Sequence, residues 1–134
     1  MRRRFGKKQN RAVAAVELAI VAPLLFTILF GIIEFGWMFS VKNTMINAAR
    51  EGARMGALQS SDYNDIVTRI DDMMAPLGLN ASVTYNIVVA TDENPFVTVT
   101  LSVPQADVSI VGNFFAEYLT GDITATASMR KEGT

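Results

Sequence analysis

Few side chains in this sequence can do chemistry, and the one under the strongest physical constraint is Glu17. It is the single charge in AVAAVELAIVAPLLFTILFGII, residues 12–33, a run that also holds a single proline, Pro23. A carboxylate inside so apolar a stretch is unfavourable by about a few kcal/mol on insertion scales, so it needs a partner or a function. One reading is plain: Glu17 sits near the membrane surface, hydrated or paired with Arg11. The other gives Glu17 a function that requires its charge at that depth. Conventional catalysis has little to work with. The chain has no histidine and no cysteine, which removes the usual general base, the thiolate nucleophile and the commonest metal ligands. The acidic pairs Asp71–Asp72 and Asp92–Glu93 remain. Neighbours on a helix point about 100° apart, so Asp71 and Asp72 read as a solvated face rather than a site. No catalytic residue, cofactor or metal is expected.

The apolar run must be positioned by a helix. Its 22 residues span about 33 Å as an α-helix, close to the thickness of a bilayer's hydrocarbon core. Before it lies MRRRFGKKQNR, with Arg2, Arg3, Arg4, Lys7, Lys8 and Arg11 and no acid. By the positive-inside rule this leader stays cytoplasmic and everything after the span lies outside. Trp37 and Phe39 follow, where aromatic residues commonly mark a membrane interface. The tract is not an ordinary secretory signal, because GIIEFGWMF continues where a small-residue cleavage site would stand. The twin-arginine-like Arg2 to Lys7 pattern is read as part of the basic tract. The expected organisation is a leader at 1–12, a transmembrane helix at 13–34 and an outer domain at 35–134.

About 100 residues remain for that domain, enough for one small core. From Lys42 onward it carries six basic and eleven acidic residues. An acidic outer part argues against nucleic acid as a partner. Residues 34–58 contain no proline and keep apolar or small residues near helical period, from Met38 and Val41 to Met55 and Gly56. One helix over about 13–58 is therefore expected, lipid-embedded first and amphipathic later. Ala48, Gly52 and Gly56 form one stripe at four-residue spacing; Ala49, Ala53 and Ala57 form another. Glycine lowers helix propensity by up to about 1 kcal/mol, so its use suggests close packing, and the stripes are expected to seat a sheet. Pro23 lacks an amide donor and opposes the carbonyl of Ala19, which predicts a kink.

Ser61 or Asp62 can cap a second helix, DYNDIVTRIDDMMAPLG, with Ile66, Val67, Ile70, Met73 and Met74 on one face. The period then changes to two. Val83, Tyr85, Ile87 and Val89 alternate with Ser82, Thr84, Asn86 and Val88, and Val97, Val99, Leu101 and Val103 with Thr98, Thr100 and Ser102, with a turn at Thr91–Pro95 between them. Ile123, Ala125, Ala127 and Met129 mark a third strand. Residues 104–119 fit a short helix or a packed loop. The fold class is α+β: a long N-terminal helix on a small three-stranded antiparallel sheet with a second helix.

Three boxes carry a family resemblance: AAVELAIVAPLL, GIIEFG at 31–36 and AAREGAR at 48–54. Together they resemble the TadE-like minor pseudopilins of tight-adherence (Tad/Flp) type IV pilus systems. The resemblance covers about one third of the chain. It implies a pilin-like layout and cleavage by a prepilin peptidase between Ala12 and Val13, with Glu17 fifth in the mature chain. Ala12 stands where the family usually has glycine, and both are small. The implied partners are the peptidase, other pseudopilins, the major pilin, the inner-membrane assembly platform and the lipid bilayer. The implied location is the inner membrane, N-terminus inside, with passage into a pilus. The alternative from the residues alone is a permanently anchored envelope-binding module that is never processed; a membrane-tethered hydrolase is the weakest reading.

Overall fold

The computed structural model describes residues 6–112 and 120–132. A single helix, α1, runs over Gly6–Ala57. It begins before residue 13, where the sequence pattern placed its start, because Lys7, Lys8, Gln9 and Arg11 are good helix formers and nothing between them breaks the backbone pattern. It continues without interruption through Pro23, and Thr27 Oγ1 donates to the Pro23 carbonyl at 2.9 Å. The chain falls into two compact units, Met1–Phe35 and Gly36–Thr134. In the first unit the helix shows its apolar side chains all round: Leu18, Ile20, Leu24, Leu25 and Phe26 are exposed. A helix apolar on every side is stable only in lipid or against other helices, and this one is long and apolar enough to cross a bilayer.

The second unit holds the sheet and the end of α1. Helix α1 closes at Ala57, where Ser61 Oγ lies 2.5 Å from the Met55 carbonyl and 3.1 Å from that of Leu58. Glu132 N donates to the Ala57 carbonyl at 2.9 Å. These contacts satisfy carbonyls that a helix end leaves without partners. Helix α2, Tyr63–Met74, starts at Asp62 rather than Ser61: the Asp62 side chain accepts from Asp65 N, and the Asp65 carboxylate accepts from Asp62 N. This reciprocal box needs an acceptor three residues on, which Asp65 supplies. After α2 a 3₁₀ turn over Ala75–Leu77 ends at Gly78, whose φ of +67° is left-handed and favours glycine there.

Three antiparallel strands follow: β1, Thr84–Val88; β2, Phe96–Pro104; β3, Asp122–Arg130, in the order β1-β2-β3. A four-residue helix α3, Gln105–Val108, follows β2 directly; residues 113–119 of the ambiguous segment lie outside the described residues. The alternation expected of β2 holds, with Val97, Val99, Leu101 and Val103 buried. That of β1 is weaker. Val83 is buried just before the strand, Tyr85 and Ile87 are half-buried, and Val89 is exposed. The ladder stops at Val88↔Thr98, so Val89 is already in the connection and has no neighbouring strand to cover it. Tyr85 Oη donates to Asp71, tying β1 to α2. Burial and this carboxylate hold the phenol above the ordinary tyrosine range.

The core packs Val41, Met45, Ala48, Ala49 and Ala53 of α1 with Ile66, Ile70 and Met74 of α2 and the inner face of the sheet. Glu51 binds Arg54 on α1 itself at 2.7 Å and, across the junction of α1 and α2, Arg69 at 2.9 Å. The hydrogen bond from Arg54, then that from Arg69, lowers the Glu51 carboxyl from 4.5 to about 2. A carboxylate lowered in the folded state stabilises above its unfolded value and loses that stabilisation as pH falls toward the folded value. The stability gap between the native chain and Glu51→Gln should therefore be full at pH 7 and shrink from about pH 5 toward pH 2. Urea unfolding of the detergent-solubilised protein, followed by circular dichroism, measures it; a gap constant across that range would exclude the assigned pairing.

Candidate functional site

The residues singled out for processing lie in the first unit, on α1. Ala12, Val13, Val16 and Glu17 share one side of the helix, as their spacing of one, four and five residues requires. Val13 is 54% exposed, and Ala12 and Glu17 are also open. Along the axis Val13 and Glu17 are separated by about 6 Å, four residues at 1.5 Å each. The Ala12–Val13 bond lies inside continuous helix.

Glu34, at the outer end of the apolar run, is 4% exposed. Val41 and Ala48, seven residues apart on one helix face of the second unit, are both fully buried. Trp37, expected from its position to mark a membrane interface, donates from Nε1 to the Val108 carbonyl at 2.8 Å and is half-buried in the second unit. Phe39 is exposed. The Trp37 bond joins positions 71 residues apart, which no local spacing signals.

Both small-residue stripes are buried: Ala48, Ala49, Gly52, Ala53, Gly56 and Ala57. At the two glycines α2 approaches as well as the expected sheet. A Cβ at Gly52 would lie 2.8 Å from Ile70 Cδ1 and Cγ1, both on α2. A Cβ at Gly56 would lie 2.9 Å from Ile66 Cδ1 on α2 and 2.8 Å from Val97 Cγ1 on β2. The glycines therefore seat α2 at both positions and β2 at Gly56. The short connection after Ala57 returns α2 directly onto α1 before any strand begins.

The arrangement offers a membrane-length apolar helix with one acid near its start, joined in sequence to a small α+β unit. Among the described residues no three acidic side chains gather as a metal site. Residues 12–54 match the family model described as TadE-like protein. That match ends within the buried stripe, three residues before the end of α1. No curated protein and no solved structure matches this chain. The family match and the membrane-length helix together fit a protein associated with a Tad pilus.

Proposed function

We propose that the protein is a minor pseudopilin: a non-catalytic subunit inserted in the inner membrane with its leader inside, cut between Ala12 and Val13, and drawn into a Tad pilus or its base. The observation that carries this reading is the coincidence of the TadE-like match with the apolar helix: the matched segment opens at residue 12, the residue before the expected cut. Glu17 then lies fifth in the mature chain and one helical turn from the new α-amino group of Val13. Cutting removes all six leader charges. It leaves a helix whose polar groups near its start are one amine and one carboxylate, a pair that a low-dielectric setting favours over either alone. Pro23, one turn and a half further on, weakens the backbone ladder where the helix must leave lipid for a packed fibre. The major pilin, other pseudopilins and the assembly platform are the partners of this reading.

The test is intact mass and N-terminal sequence of the membrane-extracted protein, with and without a co-expressed prepilin peptidase. Processing yields a chain starting at Val13; Ala12→Gly is expected to raise the yield, and Ala12→Leu to abolish it, because the position before the cut takes a small residue. A chain that still begins at Met1 or Arg2 in the presence of an active peptidase supports instead a permanent anchor.

A further inference from the structure

Strand β3 ends the sheet order, so one of its edges meets no strand among the described residues. Its backbone directions follow from the ladder. Gln105 N donates to the Gly121 carbonyl at 3.0 Å and Lys131 N to the Pro95 carbonyl at 2.8 Å, both in the same register as the β2 to β3 pairs. In an antiparallel ladder the bonded pairs recur at every second residue. Residues 123, 125, 127 and 129 therefore bond to β2, and residues 122, 124, 126, 128 and 130 turn their N–H and C=O groups outward. The Thr124 carbonyl accordingly receives Lys42 Nζ from α1. Nine residues without glycine or proline make a long edge of the kind that recruits another strand.

The sequence of that edge is self-complementary when reversed. About Thr126 the strand DITATASMR sets like against like at the inner positions and opposite charges at the ends: Asp122 against Arg130, Ile123 against Met129, Thr124 against Ser128, and Ala125 against Ala127. We infer that β3 pairs antiparallel with β3 of a second copy of this chain, centred on Thr126, to form a continuous six-stranded sheet. Two charge pairs close the ends, Asp122 of each copy opposite Arg130 of the other. Parallel pairing in register would set like charge on like, and a two-residue slip would lose both pairs. Asp122 already accepts from Ser102 Oγ at 2.9 Å through Oδ2, and a carboxylate has capacity for a further donor. Half-buried Ala127 and Met129 gain cover on the inner face. The contact is isologous and closes at two copies. It rests on β3 alone and is independent of processing and of the pilus reading.

The chain has no native cysteine, so Thr126→Cys places one thiol on the two-fold axis. In the full chain in detergent, a short bismaleimide should link two Thr126→Cys copies. Asp122→Arg, which sets Arg against Arg, should lower the yield several-fold, and adding Arg130→Asp on the same chain should restore it. Lys42→Ala, which releases the Thr124 carbonyl, should raise it. Far-UV circular dichroism of each variant reports that the fold is kept. A monomeric chain at micromolar concentration, a dimer that does not link through Thr126→Cys, or a link indifferent to the charge swap each overturns the inference.

Discussion

Gly56→Leu should lower the stability of the second unit by about 1–3 kcal/mol, the usual penalty for forcing extra carbons into a packed core. Leucine is the better helix former by up to about 1 kcal/mol, so propensity alone predicts the opposite sign. Packing wins because the space is already taken. The first carbon of any side chain at Gly56 would stand 2.8 Å from Val97 Cγ1 and 2.9 Å from Ile66 Cδ1, before leucine's three further carbons are placed. These neighbours belong to different elements, β2 and α2, so relieving one contact does not relieve the other. Gly52→Leu meets Ile70 and Ile66 of α2 and should be destabilising through the helix pair. Arg50→Ala, at an exposed position of α1, should stay within about 0.5 kcal/mol. Thermal unfolding of the full chain in detergent, read by circular dichroism, orders the three. For a domain of this size 1 kcal/mol moves the midpoint by about 4–8 °C. A Gly56→Leu midpoint equal to that of Arg50→Ala would show that α1 does not approach α2 and β2 this closely.

Glu17→Gln should leave membrane insertion intact and abolish assembly. Insertion depends on the apolar run and the leader charges, neither of which changes. Assembly, on the proposed reading, brings Glu17 out of reach of water and against the α-amino group of Val13, from the same chain or a neighbour. Removing one member of such a pair leaves the other charge buried without compensation, a loss of about 3–5 kcal/mol. That is a weakening of assembly by roughly a hundredfold or more. Membrane fractionation measures the first step, and immunoblotting of sheared surface fibres the second. The effect should vanish in an Ala12→Leu background, where the amine is never made. Wild-type piliation by Glu17→Gln would remove the pairing from the account while leaving the anchor in place.

Much of the fold is legible in order along the chain because it rests on local period. Twenty-two residues with one charge make a membrane-length helix whatever surrounds them. A change of period from 3.6 to 2 after Gly78 separates helix from strand. Val97, Val99, Leu101 and Val103 alternate and are all buried, because β2 is the central strand with neighbours on both sides. The three TadE-like boxes are also local, and residues 12–54 match that family model.

Tertiary structure decided what period cannot. The stripes at Ala48, Gly52 and Gly56 announce close approach, but a small residue carries no information about which element approaches; α2 meets both glycines, and β2 meets Gly56 as well. Trp37 meets Val108, and Lys42 meets Thr124, across 71 and 82 residues. The mirror chemistry of DITATASMR is present in the sequence, but it acquires meaning only from the sheet order that leaves β3 at an edge and from the register that turns its even-numbered backbone groups outward. Local spacing sets which residues share a face; only the packing of distant elements sets what that face meets.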